Sequence, residues 1–406
     1  MTPELSLSEL RQVISRLEAK HRPRPVSLRP PTLDTLLGGV VEETDHGPLL
    51  VVRRRFELGH RHGEQPLSQA RRIAAEPLSL LARSESPPPD GGRLLYLDTE
   101  TTGLSGGTGT YAFLVGVGFF DGETFEVRQY FMRDLDEEPA LLSALGALFG
   151  DFDGLVTYNG AGFDLPLLET RFVLARRRWP VECFHLDLLR AARGLWGERL
   201  ADCRLATVER HVLGFTREHD LPGGLIPSAY FDYLRRKRPG DLPRVFEHNR
   251  NDVLSLAALA GWAAAAVARA PVPDLSPEEL AGVGRLWEGT DPDRGLACYR
   301  MALDLGLGGP GRERLLYRLA RGEKRRARWD EARALWEAAI SIDRFDPRPW
   351  EEIAKVYEHR QRDLAAAHAV MEDALSRARR HGAPARVLDA FEHRLGRLTR
   401  RLGRLV

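Results

Sequence analysis

The feature that most constrains this chain of 406 residues is a short apolar strand that ends in two carboxylates. The run LLYLD, from Leu94 to Asp98, is apolar enough to lie inside a sheet, and Glu100 follows two residues later. Side chains at i and i+2 of a strand point to the same side, so Asp98 and Glu100 meet at the edge of an apolar layer. Carboxylates this close repel each other unless one holds a proton or a cation intervenes. Mg²⁺ and Mn²⁺ prefer oxygen ligands and suit such a pair.

Two further segments supply acids of the same kind. Asp164 begins a predicted helix after the strand GLVTYN and a glycine-containing loop, and Asp252 lies in a predicted helix that also carries His248. The offset of four residues puts His248 and Asp252 on one helical face. Each feature alone has an ordinary explanation. Asp-x-Glu can be a polar turn, Asp164 a helix N-cap, and the His–Asp pair a surface or core contact.

Together, these segments resemble the three exonuclease motifs of the DEDD superfamily, in order and spacing, from Leu94 to about Ala260. They read DTETTG at 98–103, YNGAGFD at 158–164 and HNRND at 248–252. Three ordered motifs are far more specific than one. The second is similar to the matching motif of family B polymerase proofreading domains. The run DTETTGLSGGTGTYAF is similar to the YprB-like ribonuclease H-like proteins, in which helical repeats can follow.

The resemblance implies a DnaQ-like ribonuclease H fold and a metal-dependent 3′→5′ exonuclease that hydrolyses phosphodiester bonds of DNA or RNA by a two-metal-ion mechanism. It implies that four carboxylates bind two Mg²⁺ or Mn²⁺ ions and that a histidine is the general base. These catalytic residues are Asp98, Glu100, Asp164, Asp252 and His248. It also assigns Thr101, Asn159 and Phe163 to substrate binding, and a base could stack on Phe163.

The spacing around His248 departs from the resemblance. In the histidine branch of the superfamily the histidine precedes the aspartate by five residues, and in the tyrosine branch the tyrosine precedes it by four. Here a histidine stands four residues before Asp252. This leaves the reach of His248 to the attacking water open, whereas the metal ligands are unaffected.

Two proline-rich stretches divide the chain into three predicted domains. SESPPPDGG at 84–92 cannot join a helix or a central strand, and APVPDLSPEE at 270–279 marks a second boundary. Residues 1–88 form an N-terminal segment, with a helix and short strands, whose role is not readable. Residues 89–270 form the ribonuclease H-like domain, an α/β fold with a mixed sheet and flanking helices. Residues 271–406 form an all-α domain.

The all-α domain carries a weak repeat of small, large and small residues at i, i+4 and i+7. Its copies are Gly295, Tyr299 and Ala302, then Ala332, Trp336 and Ala339, then Ala367, Met371 and Ala374. This spacing resembles the second helix of a tetratricopeptide repeat and predicts a protein partner, while an ordinary helical bundle is the alternative. Nine arginines and two acids from Ser376 onward predict a basic C-terminal helix, either a solvated cap or a clamp on nucleic acid.

Bulk properties narrow the remaining choices. The formal net charge of +1 gives no global field, so nucleic-acid binding must come from local patches. The three cysteines match no zinc pattern, no signal peptide is recognisable, and no segment is expected to span a membrane, so a cytoplasmic location is predicted. A structure-selective endonuclease and a protein-binding scaffold with a residual nuclease fold are the alternatives. The presence of all four carboxylates favours an enzyme.

Overall fold

Seven strands form one mixed sheet in the computed structural model, which describes residues 32–84, 93–103, 108–181, 183–340 and 345–404. The strands are β1 (Val40–Thr44), β2 (Gly47–Glu57), β5 (Leu94–Thr101), β6 (Ala112–Asp121), β7 (Thr124–Phe131), β8 (Gly154–Thr157) and β9 (Phe184–Asp187). Their order is β1-β2-β7-β6-β5-β8-β9. β8 is parallel to β5 and β9, and the other pairs are antiparallel. The two-residue strands β3 (Arg61–His62) and β4 (Gln65–Pro66) pair separately.

Helices cover both faces of the sheet. The first eight are α1 (Leu33–Leu37), α2 (Ala75–Ala82), α3 (Glu138–Phe149), α4 (Asp164–Leu174), α5 (Leu188–Leu195), α6 (Leu205–Val208), α7 (Ile226–Arg236) and α8 (Leu242–Arg269). Leu95 and Leu97 of β5 pack in one core with α3 and α4, while Tyr96 packs on the other face with α2, α5 and α8. The predicted α/β class with a mixed sheet and flanking helices is confirmed. This alternation also decides where the residues after Leu97 point.

The predicted boundary at residue 88 does not separate the sheet from what precedes it. In β2, Leu50 to Glu57 pair with β7, so the described part of the N-terminal segment completes the same sheet. The alternation of β2 is weak because its central residues, Leu49 to Val52, are buried on both faces. A strand covered on both sides lacks the polar half of the pattern that identifies a strand in a sequence.

An all-helical region follows α8, as predicted. Its helices are α9 (Pro277–Trp287), α10 (Pro292–Asp304), α11 (Gly309–Arg325), α12 (Trp329–Ile340), α13 (Pro347–Val356), α14 (Leu364–Arg380) and α15 (Ala385–Leu402). All nine residues of the repeat pattern are buried. At the α9–α10 contact, a Cβ on Gly284 would lie 2.5 Å from Tyr299, so the helices approach more closely than larger residues would allow. The likeness to tetratricopeptide repeats stays a prediction.

The second predicted boundary, near residue 270, lies at a turn but not at a gap between cores. One hydrophobic core runs from the sheet through α8 and on into α9, α10 and α11. The indole N–H of Trp287 donates to the carbonyl of Val267 (3.2 Å), and that of Trp196 donates to Glu279 Oε1 (3.1 Å). The first helices of the array are therefore packed as part of the α/β core.

Three arginines of the C-terminal helix α15 share one buried partner. Arg394, Arg397 and Arg401 converge on the buried carboxylate of Glu358, and Arg397 donates to it at 2.8 Å. These three guanidiniums attach α15 to the turn after α13. The sequence left two roles open for this basic helix, a cap on the helical array and a clamp on nucleic acid. The contacts with Glu358 are of the kind that a cap would make.

Helix α8 corrects one expectation about membranes. Its 28 residues are long and apolar enough to cross a bilayer, although no such segment was expected from the sequence. In this structure 78% of its most apolar window is buried inside the protein, as in the core helix of a globular domain. Length and composition alone therefore do not make α8 a membrane helix.

Candidate active site

Asp98 and Glu100 project from β5 toward α8. They share the parity of Tyr96, whose face of the sheet is covered by that helix. From α8, Asn249 Nδ2 donates to Asp98 Oδ2 (2.8 Å) and to the Asp98 carbonyl (3.3 Å). Gln129 Nε2 of β7 donates to Asn249 Oδ1 at 2.9 Å, which fixes the orientation of the amide. The first acid is thus held by a buried chain of two amides.

Asp164 reaches the cluster from the other side of β5. The hydroxyl of Thr99 donates to Asp164 Oδ1 at 2.5 Å. The loop before α4 is shaped by Asp187, which accepts from the N–H groups of Asn159 (2.8 Å) and Ala161 (3.2 Å). Asn159 itself has a left-handed φ of 65°. Asp187 also caps α5, so one carboxylate fixes both the loop and the following helix.

Arg217 binds Asp252 from a loop after α6. Its guanidinium donates to Asp252 Oδ1 and forms a two-pronged ion pair with buried Glu209, at 2.8 and 2.5 Å. Burial lowers the pKa of Arg217, but the carboxylates of Asp252 and Glu209 outweigh burial and raise that pKa above its ordinary value. Arg217 therefore stays charged and restrains one oxygen of Asp252.

His248 stands between Asp252 and a second carboxylate. Its Nδ1 lies 2.7 Å from Asp220 Oδ1, and its Nε2 lies 3.6 Å from Asp252 Oδ2. A carboxylate only accepts hydrogen bonds, and the contact with Asp220 is shorter than the one with Arg217 Nη1 (3.3 Å), so Nδ1 carries the proton that Asp220 receives. In the neutral ring, Nε2 then has its lone pair free on the side of the carboxylate cluster.

The four acids are crowded and largely withdrawn from water. Burial raises the pKa of Asp98 and of Glu100 well above the usual values, and repulsion from Asp252 adds to both shifts. Burial likewise raises the pKa of Asp164, to about 6. Glu100 Oε1 is buried without a hydrogen-bond partner in the described chain. A buried acceptor without a donor is costly, and a divalent cation would satisfy it.

A group that could hold a metal ion is present at this place. Ligand atoms of Glu100, His248 and Asp252 all lie within 4.8 Å of one another. The oxygen-rich donor set, with Asp98 adjoining, fits a hard divalent cation. The residues therefore fit the metal ions that the resemblance to ribonuclease H-like proteins implies.

A cleft of about 190 Å³ opens onto the cluster. Its lining residues are Asp98, Thr99, Glu100, Thr101, Phe163, Gly223, Ile226, Pro227, His248 and Asp252. Of the three predicted substrate-binding residues, Thr101 and Phe163 line this cleft. Asn159 does not line it, and its N–H is held by Asp187. The structure thus brings Asp98, Glu100, Asp252 and His248 together around one opening, with Asp164 bonded to Thr99 on its rim.

The sequence analysis missed five residues that hold these groups in place: Gln129, Glu209, Arg217, Asp220 and Asn249. Asn249 lies inside the third motif, where its position could have suggested a role. The others lie in stretches without a recognisable pattern, and Arg217 and Asp220 share a loop that has no regular structure. Their partners are distant in sequence, so only the fold brings them to the site.

Comparison with known proteins shows which sequences and structures this chain is similar to. The family described as the RNase_H superfamily matches residues 95–264. A protein of Bacillus subtilis (strain 168), called uncharacterized protein YprB, is 31% identical over 336 residues, which cover 81% of each chain. A solved family B DNA polymerase from the archaeon Pyrobaculum calidifontis is similar with a TM-score of 0.36 and 17% identity, over 60% of this chain and 30% of the polymerase. The likeness to the polymerase is too weak to support a functional argument.

Proposed function

Because the chain belongs to the ribonuclease H superfamily and, within it, to the family of the Bacillus subtilis protein YprB, we propose that it is a metal-dependent nuclease and, more narrowly, a 3′→5′ exonuclease. The observation that carries the proposal is the crowding of acids from three separate segments around Glu100, whose buried Oε1 has no donor among the described residues. A fold keeps such a costly arrangement where a ligand compensates it.

In this proposal, Asp98, Glu100, Asp164 and Asp252 hold two Mg²⁺ or Mn²⁺ ions. When bound, such ions activate a water molecule and offset charge on the phosphate. His248 accepts the proton of the attacking water at Nε2, and Asp220 keeps the opposite side of the ring fixed. The spacing of four residues is compatible with this role because Nε2 already faces Asp252.

Phe163 and Thr101 border the cleft and contact the terminal nucleotide in this proposal. The ring of Phe163 offers a face on which a base can stack. The proposed substrate is DNA or RNA with a 3′ end. We also propose a protein partner for the helical array and a cytoplasmic location.

The test uses purified full-length protein with 5′-labelled linear DNA and RNA, with Mn²⁺ or with a chelator. We expect a ladder of products shortened from the 3′ end, only with Mn²⁺, and no product from Asp98→Asn. A circular single strand should survive, since it has no 3′ end. Cleavage of the circular strand would show that the protein is an endonuclease and not an exonuclease. Equal activity of Asp98→Asn would show that the cluster is not the active site.

A further inference from the structure

Without its metal ions, the candidate site repels the phosphates of the substrate proposed for it. Its acids form a buried anionic cluster, while the formal net charge of the whole chain is only +1. A nucleic-acid strand is bound mainly through its phosphates, and this attraction requires local positive charge. A nuclease built in this way needs a cationic surface outside the cleft.

Helix α11 carries such a surface. Arg314, Arg318, Arg321 and Arg325 follow one another at offsets of four, three and four residues, which places them on one side of the helix. Over the 11 residue steps from Arg314 to Arg325 the helix rises by about 16 Å. We call these four residues the arginine stripe.

Half of the arginine stripe has no counter-charge. Arg314 pairs with Glu198 at 2.7 Å, and Arg318 pairs with Glu288 at 2.6 Å. Arg321 and Arg325 are exposed, and their side chains make no ion pair or hydrogen bond within the described parts of the chain. Four arginines against two carboxylates leave an excess of two positive charges along one line.

A cleft of about 250 Å³ lies beside the stripe. Pro292 and Leu296 of α10 contribute apolar surface to it. Four arginines and the carboxylate that pairs with Arg318 also line it: Arg318, Arg321, Arg325, Arg326 and Glu288. Guanidinium groups present paired N–H donors that match the oxygens of a phosphate. The apolar part of the lining can receive a sugar or the edge of a base.

One end of the stripe lies at the α/β domain. Glu198, the partner of Arg314, follows α5 closely. At its other end α5 begins beside Asp187, which shapes the loop before Asp164. The eight residues of α5 are about 12 Å long, so α5 links the loop before Asp164 to the Arg314 end of the stripe.

We propose that the arginine stripe binds the phosphate backbone of the strand whose end occupies the candidate active site. This inference rests on the proposed function, because it assigns that substrate to a second surface. The basic C-terminal helix is the weaker alternative, since three of its arginines are already occupied by Glu358.

The test measures binding of the full-length protein to fluorescein-labelled 20-mers of oligothymidylate and oligouridylate, in chelator, between 50 and 200 mM salt. The double variant Arg321→Gln/Arg325→Gln removes only charges without partners, so urea unfolding should remain unchanged. The matched control is Arg400→Gln/Arg404→Gln, a second pair of exposed arginines without partners in the described chain.

We expect the stripe variant to bind at least one of the two 20-mers roughly tenfold more weakly at 0.1 M salt, with a salt slope shallower by about 1.4, or about 0.7 for each lost phosphate contact. The control should bind like the wild type. With Mn²⁺, the stripe variant should cleave the 20-mer less efficiently but a dinucleotide normally, because a dinucleotide does not reach beyond α5.

Unchanged binding by the stripe variant, or an equal loss in the control, would overturn the inference. So would competition by polyglutamate as strong as by the oligonucleotide, which would indicate an acidic protein partner instead. Failure of the proposed function looks different. In that case the wild type cleaves nothing, yet its binding of the 20-mer still depends on Arg321 and Arg325.

Discussion

At the scale of single residues, the parity of one strand organises the candidate site. Asp98 and Glu100 follow Tyr96 onto the face covered by α8, while Thr99 points to the opposite face and donates to Asp164. One strand thereby contributes to the site from both of its faces. This alternation follows from the two-residue period of a strand and was readable in the sequence.

Without metal, the raised pKa values of these carboxylates make the stability of the folded protein depend on pH. Asp164 has a folded pKa of about 6, and those of Asp98 and Glu100 also lie above their usual values. Between the unfolded and the folded pKa the folded state holds more protons, so these groups lower stability as the pH rises through that window.

Asp98→Asn should therefore stabilise the metal-free protein at pH 7.5, because it removes one repelling charge and keeps an acceptor for Asn249. We expect a gain on the order of 1–3 kcal/mol at pH 7.5 and a smaller one at pH 5, since a pKa unit corresponds to about 1.4 kcal/mol. Urea unfolding in chelator measures both. A loss of stability at pH 7.5 would contradict the crowding of the carboxylates.

Asp220 and His248 should act as one unit. His248→Ala should slow single-turnover cleavage by about 10²–10⁴-fold, the usual contribution of a general base. Asp220→Asn should cost roughly 10–100-fold, as for a residue that orients another. In the His248→Ala background, Asp220→Asn should change nothing further, because its partner is gone. Additive losses would mean that Asp220 acts elsewhere.

At the scale of elements, α8 crosses β6 closely enough to require glycine. A Cβ on Gly116 would lie 2.1 Å from Asn249 Oδ1, the amide that holds Asp98. The sequence showed two glycines in a strand, Gly116 and Gly118, but gave no reason for them. The reason is the approach of a helix whose position depends on the whole fold.

Gly116→Ala should displace Asn249 and disturb Asp98. We expect loss of nearly all cleavage and a destabilisation of about 1–3 kcal/mol, typical of overpacking in a core. Gly146→Ala is the matched control, since a Cβ there meets Phe172 at an ordinary 3.5 Å within α3. That variant should keep its activity and be slightly stabilised. Normal activity of Gly116→Ala would refute the role of this close approach.

The sequence predicted the acidic residues of the site better than the residues that hold them in place. Asp98, Glu100, Asp252 and His248 meet as expected, because short motifs on a strand and a helix carry their own local geometry. The ion pair between Arg217 and Asp252 joins residues 35 positions apart, through a loop without regular structure. No periodicity encodes such a contact. The sequence predicted short strands in the N-terminal segment but not that β2 joins the main sheet, because burial of β2 on both faces weakened the alternation that marks a strand.

At the scale of the whole molecule, the continuous core indicates that the α/β domain and the first helices of the array fold together. A chain ending at residue 268 keeps all three motifs but loses α9, which packs against α5 and α8. It would expose this apolar surface and leave Trp196 without Glu279. We therefore do not expect the predicted domain of residues 89–270 to fold without α9.

A chain ending at residue 340 offers the comparison. It keeps α9 to α12 and leaves the α/β core covered, and its new edge lies between two helices of the array. We expect soluble, folded protein with basal nuclease activity from this truncation, and insoluble or unfolded protein from the truncation at 268. Circular dichroism and the cleavage assay measure both. A folded chain ending at 268 would show that the shared core is dispensable.

Helix α8 is about 42 Å long at 1.5 Å per residue, and it belongs to both halves of the protein. Asn249 and Asp252 lie in its first half, and about 22 Å farther along, Val267 and Ala268 accept hydrogen bonds from α9 and α10. A helix is stiff along its axis, so we expect a partner or a strand that pulls on the array to shift α8 and, with it, Asn249 and Asp252. Cleavage by this protein should then depend on mechanical load.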